Sequence, residues 1–229
     1  MKEIFLDTET TGLSYKNKHK LVEIACVETE DLVPTKRIFH KLINPERDVP
    51  EEAFNIHGFS SEFLRQKEKF LVIADDFLEF IKNKKLIIHN ASFDLGFLNY
   101  ELRLIKKDEI KREYVVDSLE IARSKYPGTS NSLDALCRRF NIDLSRRAKH
   151  NALLDCELLR EVYINLLDVK NPRLIFSDNS ETKNNEGKKR ISQSYCKKVV
   201  NLTKTEVDNH KNFIKIDLKK NFYWALFCS

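Results

Sequence analysis

The order in which hydrophobic periodicity changes along this chain constrains its fold more than any other feature. The first 43 residues read as three β-strands. Lys2 to Asp7 contains the apolar run Ile4-Phe5-Leu6 and leads, through Thr8-Glu9, into a turn at Thr10-Thr11-Gly12-Leu13. Leu21 to Glu30 is rich in β-formers with partial alternation, and Thr35 to Ile43 follows a turn near Pro34. Connections this short predict an antiparallel meander. The period then switches. Pro50 to Phe54 predicts a short helix with proline near its start. Phe70, Ile73, Ala74, Phe77, Leu78 and Ile81 recur at helical spacing and predict an amphipathic helix over Lys67 to Ile81. A buried strand at Lys85 to His89, a helix at Ser92 to Ile105 and a strand at Tyr114 to Val116 follow. Helices then complete the pattern at Leu119–Lys125, Leu133–Phe140 and Ala152–Leu167.

Antiparallel strands followed by β-α-β units imply an α/β chain: a mixed five-stranded sheet flanked by helices, in an RNase H-like arrangement. This pattern fills residues 1–170 of the 229. Composition changes over residues 171–190, where the run from Ser177 to Lys189 is polar and free of large apolar side chains, which predicts a flexible linker. Residues 191–229 regain hydrophobicity and end in an aromatic cluster around Trp224. Such a segment is too short for a secure core of its own and predicts a tail that folds against a partner.

Charge follows the same division. Residues 1–170 hold 28 Lys and Arg against 29 Asp and Glu, a net −1, whereas residues 171–229 hold 12 against 6, a net +6. A basic tail suits nucleic acid or an acidic partner, and equally a simple solvated tail. The five cysteines, Cys26, Cys137, Cys156, Cys196 and Cys228, show no C-x-x-C pair, which argues against a disulfide framework or a zinc site. The sequence has no 18-residue apolar run and no signal-peptide pattern at its start, so a cytoplasmic protein with no membrane span is expected.

The chemistry-bearing residues are acidic. Asp7 and Glu9, spaced i and i+2, project to one side of a strand. Two such carboxylates repel unless a cation lies between them, and hard divalent cations take oxygen ligands. An Asp-x-Glu is nevertheless expected about once by chance in a chain this long, so a solvated turn at a strand end is the better explanation of the pair taken alone. Asp94 lies where a buried strand hands over to a helix, in His89-Asn90-Ala91-Ser92-Phe93-Asp94, and reads alone as a support of the helix start. His150 and Asp155 are five residues apart, which turns the two side chains by roughly 140° on a regular helix. They share a site only if His150 lies in a loop or first turn, and Ser145 to Lys149 reads as such a loop. Glu52 and His57 sit in a segment that otherwise reads as a helix with an acidic first turn, ended by Gly58.

As an ordered set, Asp-x-Glu-Thr-Thr-Gly, His-Asn-x-x-Phe-Asp and His-x4-Asp resemble the DEDDh family of 3′→5′ exonucleases over about residues 1–168. Ile56-His57-Gly58 and Asn131 to Cys137 are similar to its bacterial proofreading branch, and residues 191–229 to that branch's polymerase-binding tail. The resemblance implies phosphodiester hydrolysis with two divalent cations, Mg2+ or Mn2+, about 3.5–4 Å apart. By the same resemblance Asp7 bridges both ions, Glu9 and Asp155 each help hold one, and Asp94 contributes directly or through water. His150 is then the general base, an imidazole able to take a proton near neutral pH. Asp7, Glu9, Thr10, Leu13, Glu52, His57 and Asp155 are then the residues that meet the terminal nucleotide.

The implied partners are a DNA 3′ primer terminus and, through the tail, a polymerase catalytic subunit of a bacterial replisome. Residues 171–176 loosely resemble a sliding-clamp motif, with Asn171 in place of the usual glutamine. Selectivity for a mismatched end would follow from its fraying, since an unpaired terminus reaches a single-strand pocket at lower cost. Two other readings compete. A stand-alone exonuclease acting on short RNA or single-stranded DNA has no need of the tail. A non-catalytic scaffold for a polymerase has no need of the acidic set.

Overall fold

The computed structural model describes residues 2–145, 147, 149–167 and 203–216. Five strands, β1 (Lys2–Thr10), β2 (Leu21–Glu30), β3 (Val33–Leu42), β4 (Lys85–Ile88) and β5 (Val115–Asp117), form one sheet in the order β3-β2-β1-β4-β5. β1–β2 and β2–β3 pair antiparallel, while β1–β4 and β4–β5 pair parallel. The central strand β1 is covered on both faces, which is why its apolar residues form a continuous run rather than an alternation.

Two details differ from the sequence reading. β1 continues through Asp7-Thr8-Glu9 to Thr10, because β2 goes on pairing it through Thr8↔Ile24, Glu9↔Glu23 and, after a register shift, Thr10↔Leu21. The two carboxylates therefore lie within a paired strand, not beyond its end. The β2–β3 turn falls at Asp31 and Leu32, both at positive φ, instead of at Pro34. Pro34 sits in β3, an edge strand, opposite Thr29 and next to a register shift, where its missing N–H is tolerated.

Helices α1 (Glu51–His57), α2 (Ser61–Arg65), α3 (Phe70–Ile81), α4 (Ala91–Leu104), α5 (Ser118–Lys125), α6 (Leu133–Arg139) and α7 (Ala152–Leu166) flank the sheet. On one face Ile4 and Leu6 bury against Phe77 of α3 and Phe97 and Leu98 of α4. On the other, Phe5, Ala25 and Ile87 bury against Ala152, Cys156, Leu159 and Tyr163 of α7. Phe5 meets Tyr163 edge-on with ring centroids 5.8 Å apart, and its full burial is worth about 2 kcal/mol. Alternation along β1 then places Asp7 and Glu9 on the α7 face with Phe5, and Thr8 on the α4 face with Leu6.

Cys26, Cys137 and Cys156 are buried free thiols. Among the described residues no helix is long and apolar enough to cross a membrane.

Residues 176–229 cluster as a separate unit. Within it α8 (Lys204–Ile216) is described, a helix not expected from the hydrophobic pattern of the tail. Thr203 and Glu206 start it with reciprocal bonds: the Thr203 N–H donates to Glu206 Oε2 at 2.8 Å, and the Glu206 N–H donates to Thr203 Oγ1 at 3.4 Å. The linker at 171–190, the clamp-like residues 171–176 and the aromatic cluster around Trp224 lie outside the described residues.

Candidate active site

Three elements and one loop deliver the four carboxylates and His150 to one rim of the sheet. β1 carries Asp7 and Glu9, the first turn of α4 carries Asp94, α7 carries Asp155, and the loop before α7 carries His150. Asp117, at the end of β5, fixes the α4 start: its carboxylate accepts the Asn90 N–H at 3.0 Å and the Ala91 N–H at 2.9 Å. That frees Asp94, which is 3 % exposed and accepts a hydrogen bond from Thr8 Oγ1 at 2.7 Å. Asn151 caps α7, its side chain accepting the Leu154 N–H at 3.1 Å. His150 therefore stands just ahead of the helix and Asp155 inside its first turn. This resolves the 140° problem posed by their spacing.

Ligand atoms of Glu9, His150 and Asp155 all lie within 4.8 Å of one another. Asp94 is close enough to Asp7 to raise its titration. The Asp7 carboxyl is raised well above the usual range, first by burial and then by repulsion from Asp94, Asp155 and Glu9. Burial is also the main cause that raises Glu9 to about 8, with the nearby His150 pulling it down. Asp94 is raised to about 7 by burial, against the lowering effect of the Thr8 hydrogen bond. So many strained carboxylates on one rim form a site built to receive positive charge.

Part of that charge is supplied by Arg147. Its Nε donates to Asp155 Oδ1 at 2.6 Å and its Nη2 to Asp155 Oδ2 at 2.7 Å, a bidentate pair. Nη1 pairs with Asp134 of α6, and Nη2 also lies 2.9 Å from His150 Nδ1. His150 Nδ1 is 3.6 Å from Asp155 Oδ2, and this carboxylate raises the imidazole pKa in spite of burial and the Arg147 charge. In the sequence Arg147 stands only as one basic residue of the loop Ser145 to Lys149. The signal that could have found it is Asp134, inside the Asn131–Cys137 motif, whose role here is to hold that guanidinium.

Beside the carboxylates lies a cavity of about 660 Å³, within the usual range for small-molecule sites. Thr10, Leu13, Glu52 and His57, the four further residues expected to meet a nucleotide, all line it, together with Glu9 and His150. Leu13 is 85 % exposed at the cavity wall. Thr10 closes the turn by donating from Oγ1 to the Gly12 carbonyl at 2.7 Å. The Phe59 N–H donates to His57 Nδ1 at 3.0 Å, and burial lowers that imidazole to about 4. His57 is thus neutral with its hydrogen on Nε2, a buried donor with no hydrogen-bond partner among the described residues. The His150 loop is tied to α1 by the His150 N–H, which donates to the Ile56 carbonyl at 3.2 Å. Lys149 crosses Gly58 there, so a Cβ on Gly58 would lie 2.9 Å from the Lys149 Cδ.

The sequence of residues 4–163 matches the family described as Exonuclease. The chain belongs to that family. This exonuclease is 47% identical over 224 residues to the DNA polymerase III subunit epsilon of Rickettsia felis, covering 96% of this chain and 98% of the relative. It is 40% identical over 230 residues to the corresponding Escherichia coli subunit, covering 96% and 94%. Solved structures share its fold. The nuclease domain of the DEDDh enzyme 3′hExo bound to rAMP matches with TM-score 0.62 at 15% identity, covering 73% of this chain and 92% of that one. Exonuclease X in complex with 5′ overhanging duplex DNA matches with TM-score 0.57 at 24% identity, over 73% and 92%. The expected RNase H-like sheet is borne out.

Proposed function

We propose that this chain is the 3′→5′ proofreading exonuclease subunit of a bacterial replicative DNA polymerase, removing mismatched 3′-terminal nucleotides as 5′-mononucleotides. One observation carries the reading. A chain similar over nearly its whole length to polymerase III epsilon subunits sets Glu9, His150 and Asp155 within 4.8 Å of one another beside a nucleotide-sized cavity.

The donor set fits divalent cations: buried carboxylate oxygens, those of Asp7, Glu9 and Asp94 raised in pKa mainly by burial, with one imidazole at the edge. Asp7, Glu9, Asp94 and Asp155 would hold them, and Mg2+ and Mn2+ suit such all-oxygen ligands. When bound, the cations supply the charge that activates the attacking water and stabilises the leaving oxygen. The protein supplies the rest. His150 takes the water's proton. His57 donates from Nε2, and Glu52 accepts, at the terminal nucleotide. Leu13 offers an apolar surface to its base, and Thr10 holds the turn that presents Leu13. No residue of this set reads base edges, so preference for a mismatch comes from fraying.

Residues 191–229 carry the polymerase contact and 171–176 the clamp contact in this reading, which places the enzyme at the cytoplasmic replisome. The test compares excision rates on a primer with a 3′ mismatch, a paired primer and short RNA oligomers. Faster release of 5′-mononucleotides from the mismatched DNA is expected, and preferential RNA turnover would overturn the reading. Cutting the chain after Val169 should retain nuclease activity and abolish polymerase binding; retained binding refutes the role given to the tail.

A further inference from the structure

A fifth carboxylate lies beside the four. Glu23 of β2 is the cross-strand neighbour of Glu9 on the same face of the sheet, and it is fully buried. Like charges directly opposite on a sheet are destabilising. Glu23 adds to the repulsion that raises both Asp7 and Glu9. A residue that makes the site harder to ionise needs another reason to be there.

Its hydrogen bonds supply one. Glu23 Oε2 accepts the backbone N–H of Ala152, the first residue of α7, at 3.1 Å. Oε1 accepts from Asn151 Nδ2 at 3.2 Å, and Asn151 is itself the cap of α7. The same Oε1 is 2.6 Å from His40 Nε2 on β3, whose side chain is one-third exposed and closes the network from the solvent side. Glu23 thus satisfies a free amide at the helix start and sets a negative charge at the positive end of its dipole. The elements joined this way are β2, which carries Glu9's neighbour, and the helix whose start carries His150 and Asp155.

We infer that Glu23, backed by His40, is a positioning residue that locks the start of α7 against the sheet, so that His150 and Asp155 face Asp7 and Glu9 in working register. The inference rests on the proposed nuclease reading and adds to it a residue that touches neither nucleotide nor cation. Displacing a catalytic group by about 1 Å costs on the order of 100-fold in rate.

The test is a charge swap across the Glu23–Asn151 hydrogen bond, made in the full chain. In E23Q the new amide NH2 opposes the Asn151 NH2, donor against donor. In N151D two carboxylates face each other. In the double variant the amide NH2 donates to the new carboxylate and to the His40 nitrogen, while its oxygen still accepts the Ala152 N–H. The expected kcat on a mismatched primer falls about 10- to 100-fold in E23Q and about tenfold in N151D, with KM within about twofold. It returns to within about threefold of the original in the double variant. Amide exchange at Ala152 to Leu154, measured without added cation, should speed up in each single variant and recover in the double.

Unchanged kcat and exchange in E23Q would overturn the inference. So would effects that simply multiply in the double variant, or failure of both E23Q and the double variant to fold. If only E23Q misfolds and the double variant is active, the swap has worked and the inference stands. An unmutated chain without exonuclease activity refutes the proposed function instead, and the exchange data then decide the role of Glu23 independently.

Discussion

Removing one charge from the carboxylate cluster should stabilise this protein while disabling it. Glu9 is 9 % exposed, and its carboxyl is raised from 4.5 to about 8, mainly by burial. The folded state therefore binds a proton that the unfolded chain has already lost between those two values. Stability is full below about pH 4.5 and is lost as pH rises toward 8. At pH 7 the cost of keeping Glu9 protonated in the fold, relative to the ionised unfolded chain, is roughly 3 kcal/mol. Neighbouring carboxylates share the same repulsion and His150 offsets part of it, so about half should be recovered in Glu9→Gln, which keeps the side-chain shape. For a fold of this size about 1.5 kcal/mol is worth a Tm rise of about 3–6 °C. The assay is thermal unfolding in chelator at pH 5 and pH 8, repeated at pH 8 with Mn2+. The rise should appear at pH 8, shrink at pH 5, and be reversed by Mn2+, which stabilises the unmutated protein more. A Tm difference independent of pH, or a less stable variant at pH 8 in chelator, would refute the electrostatic reasoning.

Other expectations follow from the same geometry. Arg147→Ala leaves Asp155 without its bidentate partner in a pair whose side chains are 7 % and 4 % exposed. In chelator the Tm should fall by about 6–12 °C, corresponding to a loss of about 3 kcal/mol, and Mn2+ should restore most of it; an unchanged Tm in chelator would show that the guanidinium does not neutralise Asp155. Thr8→Val removes the 2.7 Å hydrogen bond to Asp94, so the Asp94 midpoint, followed by carboxyl NMR in metal-free protein, should move above its value of about 7. No movement would remove Thr8 from the account.

The fold was legible where local pattern and tertiary environment agree. β2 runs over Leu21–Glu30 as its β-formers predict. β1 was read three residues short because Thr8-Glu9-Thr10 is polar, and polarity at a strand end looks like a turn. Here those side chains are turned toward α4, α7 and the cavity, so tertiary contacts keep them in the sheet. α2 is five residues long, too short to show a helical period, though Ser60 caps it by accepting the Phe63 N–H. The box Thr203-x-x-Glu206 marks the start of α8 and was legible in principle.

At the site, spacing singled out Asp7, Glu9, Asp94, His150 and Asp155, and the structure brings them to one rim. What spacing could not show is what holds them there. Glu23 looks like any polar residue in an alternating strand, and Arg147 like any basic residue in a loop. Their partners are 128 and 8 residues away in sequence, and only packing brings them together.

The central claim is that Asp7, Glu9, Asp94 and Asp155 hold catalytic divalent cations beside the His57–Leu13 cavity. Crystals of the full chain soaked with Mn2+ and a nucleoside 5′-monophosphate, measured at the manganese absorption edge, test it most directly. The account predicts anomalous peaks bounded by these four carboxylates, with the nucleotide in the cavity and Arg147 withdrawn from Asp155. Manganese absent from the cluster, or bound elsewhere with Arg147 still paired to Asp155, would contradict it.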